Sequence, residues 1–95
     1  MLLFSRFKIS GHSMEPKFKD GDHVLTVKIP FFIRNLKIND VIVFQKYGKF
    51  FIKKISKITN GRYFVVGENI KDSLDSRKFG TINSQDILGK VIIKI

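Results

Sequence analysis

Apolar and polar residues alternate with a period of two along most of this chain, the spacing of a strand with one face buried. Phe7-Lys8-Ile9-Ser10 begins the pattern. His23-Val24-Leu25-Thr26-Val27-Lys28-Ile29 repeats it and stops at Pro30, which has no N–H to give a ladder. Asn39-Asp40 is a turn signal ahead of a third strand, Val41-Ile42-Val43-Phe44. Tyr47-Gly48-Lys49 then turns the chain into Phe50-Phe51-Ile52, and a further strand runs through Ile55 and Ile58. Asn60-Gly61 is a strong hairpin signal, because both central residues of a type I′ turn need positive φ. Arg62-Tyr63-Phe64-Val65-Val66 is the returning strand. From Gly67 to Gly80 the alternation disappears, and the polar, turn-prone residues predict a loop with one helical turn. Ile87 to Ile95 forms the last strand. Short strands joined by tight turns predict a mainly β fold, a small, strongly coiled antiparallel sheet or partly open barrel. Residues 1–95 show neither repeat nor linker and read as a single domain.

Composition narrows the chemistry. Hydrophobic residues make up 43% of the chain, enough to fill one modest core. There is no cysteine, which excludes disulfides and thiolate catalysis. His12 and His23 are too few to hold zinc without carboxylates beside them, so neither metal nor cofactor is expected. The net charge of +10, from 18 basic and 8 acidic residues, favours anionic partners, with a merely solvated basic surface as the plainer account. Five of the acids fall in two groups, Asp20 with Asp22, and Glu68 with Asp72 and Asp75.

No apolar run approaches the ~18–20 residues that span a bilayer. Met1-Leu2-Leu3-Phe4 is also shorter than the ~7–15 apolar residues of a signal-peptide core. The chain is therefore expected to lack a transmembrane anchor and to be cytoplasmic or peripherally membrane-associated. Ile29-Pro30-Phe31-Phe32-Ile33 followed by Arg34 puts aromatics beside a cation, which suits contact with an anionic membrane. Burial of Phe31 and Phe32 in the core is the competing reading.

One segment points to nucleophilic chemistry. In Gly11-His12-Ser13-Met14-Glu15-Pro16 a serine lies between a strand and a proline-bearing turn. Gly11 allows close backbone approach and Pro16 fixes the chain after the turn. A serine hydroxyl needs a base to take its proton. His12 is adjacent, but neighbouring side chains in an extended chain point to opposite faces. A lysine serves as base only where burial disfavours its charged form. Lys53, after Phe50-Phe51-Ile52 and before Ile55, meets that demand better than most of the fourteen lysines. Singly, each feature has a plain structural account: a turn serine, or a lysine that snorkels to water.

Taken in order, these segments resemble the type I signal peptidase family from about Phe7 to the C-terminus. Gly11 to Pro16 with Gly21-Asp22-His23-Val24-Leu25 is similar to the family's nucleophile segment. Asn39-Asp40-Val41-Ile42-Val43-Phe44 is similar to its Gly-Asp-x-Val-x-Phe strand, and Phe51-Ile52-Lys53-Lys54-Ile55 to the segment bearing the base. Gly67-Glu68-Asn69, with Ser73-Leu74-Asp75-Ser76-Arg77-Lys78-Phe79-Gly80, resembles the Gly-Asp-Asn and Ser-x-Asp-Ser-Arg segment. Ile87-Leu88-Gly89-Lys90-Val91 closes the match.

The resemblance implies a serine endopeptidase with Ser13 as nucleophile and Lys53 as general base. Ser73 would hydrogen-bond and orient the amine, Asp75 and Arg77 would brace the loop, and the Ser13 N–H would serve the oxyanion. Phe7, Ile9, Gly11, Met14, Phe18, Val43, Phe51 and Ile52 would form the substrate site. Its pockets would take small side chains one and three residues before the cut.

Two positions depart from the family pattern: Glu68 replaces an aspartate, and Asn39 a glycine. Gly11 stands where some members carry an oxyanion-donating serine, with Ser10 nearby. No insertion follows the lysine segment, only Ser56 to Arg62.

The implied partner is a protein or peptide substrate, with no nucleic acid. The compact form resembles small proteases that mature nickel-type superoxide dismutase. The alternatives are a minimal signal peptidase acting on exported proteins at the membrane, or an inactive binding module of the same fold. A self-cleaving LexA-like regulator would want a helix-turn-helix and a cleavable linker, and a family member using histidine as base would not carry Lys53.

Overall fold

In the computed structural model, residues 3–28, 36–69 and 74–95 are described. The strands are β1 (Leu3–Lys8), β2 (His23–Lys28), β3 (Val41–Lys46), β4 (Lys49–Thr59), β5 (Arg62–Val66), β6 (Ile82–Asn83) and β7 (Ile87–Lys94). One short helix, α1 (Ser76–Phe79), precedes β6, and a 3-10 turn at Ser84–Asp86 precedes β7. The strands form a single sheet in the order β1-β2-β7-β3-β4-β5-β6, with every neighbouring pair antiparallel. β1 and β6 are its two edges, so the mainly β, antiparallel sheet expected from the sequence is open rather than a closed barrel.

Turn chemistry sets the register. Asn60 and Gly61 lie at φ 51° and 75°, the two positive values of a type I′ turn. Tyr47 and Gly48 do the same at 55° and 70°. Both turns leave two-residue loops, closed by the pairs Thr59↔Arg62 and Lys46↔Lys49. Asn39 also takes positive φ, at 79°, where the family pattern has glycine.

Three elements differ from the periodicity reading. β1 runs Leu3–Lys8, not Phe7–Ser10, because its register against β2 ends at Lys8↔His23. Beyond that point Ile9 still bonds across, its N–H to the Asp22 carbonyl and its carbonyl to the Gly21 N–H, but outside the regular ladder. β4 is one strand of 11 residues, where the sequence reads as two. A register shift between Ile55 and Lys57 absorbs the break in alternation as a bulge, and pairing with β5 continues beyond it. β6 is too short to show a period.

The core has two clusters. One joins Ile42, Phe44, Ile55, Val65, Ile82 and Ile87 with Leu36 and Tyr63. The other joins Ile9, Met14, Phe18, Val24 and Val41. β3 contributes to both, so its first four residues are all buried and its apolar run is continuous. β7 is inserted between β2 and β3, and Gly89 makes that possible. A Cβ there would lie 2.8 Å from Thr26 Oγ1 and 2.9 Å from Thr26 Cβ.

Candidate active site

The turn carrying Ser13 is closed by the first acidic pair. Asp20 Oδ1 accepts from the Gly11 N–H at 2.8 Å, and Asp22 Oδ2 from the Lys19 N–H at 2.8 Å. That backbone hydrogen bond, with help from the nearby Lys94 charge, holds the Asp22 carboxyl below its ordinary value. Met14, 1% exposed, anchors the turn in the second core cluster, and the Phe18 N–H donates to its carbonyl at 2.9 Å. Ser13 is left half-buried between this anchor and solvent. The His12 ring faces outward, 59% exposed, with Nδ1 2.6 Å from Glu15 Oε2.

Lys53 arrives from the middle of β4, opposite Ile42 of β3. It shares strand phase with Phe51 and Ile55, so the burial that hides them hides it too, to 3% exposure. Its Nζ donates to Ser13 Oγ at 2.6 Å and lies 6.0 Å from the centroid of the Phe51 ring.

The segment after β5 ties the site together. The Gly67 N–H donates to Asp75 Oδ2 at 2.9 Å, Glu68 pairs with Lys54 at 3.1 Å, and the Asn69 N–H donates to the Ser13 carbonyl at 2.8 Å. Asn69 Nδ2 adds a bond to the His12 carbonyl at 3.2 Å. Asp75 is fully buried at the N-cap of α1. Its Oδ1 accepts from the Arg77 N–H and Nε, and its Oδ2 takes the guanidinium at 2.5 Å. The side-chain hydrogen bond to Asp75 raises the Arg77 pKa above its ordinary value. Ser76 Oγ accepts from the Val65 N–H at 2.8 Å. Asp75 and Ser76 side chains thus satisfy N–H groups at the end of β5, where no further strand pairs. Ser73 lies outside the described residues, as does the aromatic segment Ile29 to Arg34.

A cleft of about 390 Å³ runs between the end of β1 and β4, with Ser13 and Lys53 in its wall. Of the expected substrate residues it is lined by Phe7, Ile9, Val43, Phe51 and Ile52. Gly11, Met14 and Phe18 do not line it: Met14 and Phe18 pack in the core, and Gly11, at φ 91°, faces its N–H to Asp20. Sequence reasoning missed Lys8, Ser10, Lys49 and Phe50, which do line it. Phe50 packs edge-on against Phe7 at 5.9 Å, joining the two walls. Its place beside Phe51 and Ile52 was the available signal, but strict alternation puts it on the other face.

Residues 1–57 and 49–95 match the family model described as signal peptidase, peptidase S26. The chain belongs to the type I signal peptidase family. Signal peptidase I V of Bacillus subtilis (strain 168) is 25% identical over 141 residues, covering 94% of this chain and 84% of the relative. Those 141 positions exceed the 95 residues present here, so the relative carries inserted residues. Membership makes the chain, in general class, a serine peptidase that removes leader peptides from a protein or peptide substrate. Among the described residues, no helix is long and apolar enough to cross a membrane. No group of three or more His, Cys, Asp or Glu side chains among them is placed to hold a metal ion.

Proposed function

We propose that this signal peptidase cuts with a Ser–Lys dyad, Ser13 as nucleophile and Lys53 as general base. The observation that carries the reading is the 2.6 Å contact between Lys53 Nζ and Ser13 Oγ, made by a lysine only 3% exposed. Neutral Lys53 takes the Ser13 proton as Oγ attacks the scissile carbonyl. The resulting oxyanion faces the Ser13 N–H. The lysine then gives its proton to the departing amine, leaving an acyl-enzyme on Ser13. Water, deprotonated by the same amine, releases the new carboxylate. Ser73 as the residue orienting the amine, and small side chains before the cut, rest on the resemblance alone.

The substrate proposed is a pro-protein with a leader ending in small residues, of the kind removed in maturation of nickel-type superoxide dismutase. The +10 charge favours a second reading, cleavage of exported proteins at an anionic membrane surface. Cleavage of two peptides, one a dismutase pro-peptide junction and one an exported leader junction, with and without anionic vesicles, separates the readings. Preference for the first, indifferent to vesicles, supports the dedicated protease; preference for the second, enhanced by vesicles, supports the membrane role. Cleavage of both peptides by Ser13→Ala would refute the dyad mechanism.

A further inference from the structure

Asn69 makes two hydrogen bonds to the Ser13 segment, and they land on consecutive peptide units. Its backbone N–H holds the Ser13 carbonyl at 2.8 Å, and its side-chain Nδ2 holds the His12 carbonyl at 3.2 Å. The His12 carbonyl belongs to the same peptide unit as the Ser13 N–H. That unit is planar and trans, so its C=O and N–H point in opposite directions. Whatever fixes the carbonyl therefore aims the N–H. A hydrogen bond accepted at the carbonyl also polarises the N–H at the other end, because linked hydrogen bonds strengthen one another. A carbonyl can only accept, so the contact requires the amide NH₂ of Asn69 as donor.

We propose that Asn69 is a positioning residue for the oxyanion donor: its side-chain amide, bonded to the His12 carbonyl, aims and polarises the Ser13 N–H. This rests on the reading of Ser13 as nucleophile. The two residues before it are themselves held. Gly67 is tied to Asp75 and Glu68 to Lys54, so the loop delivers Asn69 from a braced position.

Side-chain variants isolate the effect, since the backbone bond to the Ser13 carbonyl survives them. Asn69→Asp keeps the shape but replaces the donor with an acceptor; Asn69→Ala removes it. Both are expected to lower kcat by roughly three- to tenfold, the worth of one neutral hydrogen bond, with KM unchanged. Affinity for a substrate-derived peptide aldehyde, which forms an oxyanion-bearing adduct with Ser13, should fall by a similar factor. The pH profile of Asn69→Ala should not move, because Lys53 is untouched and no charge is added. Unchanged kcat in Asn69→Asp, a loss matched by falling thermal stability with aldehyde affinity intact, or a shifted pH profile in Asn69→Ala would each overturn the assignment. If Asn69→Ala fails to fold, Asn69→Asp decides. Ser13→Ala serves as the control: residual cleavage there defeats the dyad itself, whereas an inert Ser13→Ala beside an unaffected Asn69→Asp defeats only the role of Asn69.

Discussion

Lys53 Nζ lies 2.6 Å from Ser13 Oγ across 40 positions of sequence, and different constraints hold the two ends of that contact. Ser13 is set by its turn, which Met14 anchors in the core and Asp20 and Asp22 close. Lys53 is set by strand register, fixed opposite Ile42 by the two-residue turn at Tyr47-Gly48. Removing either side chain therefore leaves the scaffold of the other in place. Ser13→Ala and Lys53→Ala are each expected to abolish peptide cleavage while the far-UV spectrum and melting temperature stay near wild type. The double variant should be no worse than either single, because groups acting as one unit are not additive. Turnover by Lys53→Ala near the wild-type rate would exclude the lysine as base.

Activity should rise with pH. The base must be neutral, so cleavage is lost in acid and gained as the amine deprotonates. Lys53, 3% exposed and 2.6 Å from Ser13 Oγ, is the amine whose deprotonation the rise would follow. The kcat/KM profile of the free enzyme measures it. A profile flat from pH 5 to pH 9 would contradict a lysine base.

Stability at acid pH should carry the mark of Asp22. Its folded pKa is lowered from the ordinary 3.8, first by the Lys19 N–H and then by Lys94. A depressed carboxyl stabilises above its unfolded pKa, and the contribution is lost as pH falls through the lower, folded value. Asp22→Asn should therefore lower the melting temperature at neutrality and flatten the acid limb of the curve below about pH 4, where variant and wild type converge. An unchanged acid limb would remove Asp22 from the account.

Asp75 should matter more to stability than its loop position implies. It is fully buried and accepts from two backbone N–H groups as well as from Arg77. Asp75→Ala strands the Gly67 N–H and releases the guanidinium, at a cost of about 2–3 kcal/mol by denaturant melt. Because Gly67 and Asn69 belong to one short segment, cleavage should also fall per folded molecule. A variant as stable as wild type would show that the carboxylate is dispensable.

Much of this was legible in residue order. Asn60-Gly61 marked its hairpin, and Val41 to Phe44 marked a strand, because both signals are local. The contact between Ser13 and Lys53 was expected from the family resemblance, since singly each residue has a plain structural account. What could not be read was long-range. Nothing local places β7 between β2 and β3, or continues β4 through a bulge at Ser56. Met14 and Phe18 carry the hydrophobicity of pocket residues, and only tertiary packing assigns them to the core. Asn69 reads as a turn residue, and its two bonds to the Ser13 segment exist only once the sheet has brought residues 12 and 69 together.

Two glycines should fail for opposite reasons, and the contrast tests the sheet topology. Gly61 lies at φ 75° with open space where a Cβ would point, so it is required for backbone conformation alone. Gly61→Ala should cost about 1 kcal/mol, and Gly61→Asn less, since asparagine tolerates the left-handed region. Gly89 has no such φ. It is required because β7 passes close to β2, where an added Cβ meets Thr26 Oγ1 at 2.8 Å and the Val27 carbonyl at 3.3 Å. Thr26 is 1% exposed, its Oγ1 donates to the Ser5 carbonyl, and its β-branched side chain has few rotamers to retreat into. Overpacking of this kind costs about 1–3 kcal/mol, so Gly89→Ala should lower the denaturant midpoint more than Gly61→Ala. Gly89→Asn should be worse still, because the obstacle is volume rather than backbone. Trimming Thr26→Ala should recover only part of the loss, since the Thr26 Cβ at 2.9 Å and the Val27 carbonyl remain. Equal tolerance of alanine and asparagine at position 89 would mean that β2 and β7 do not approach as described.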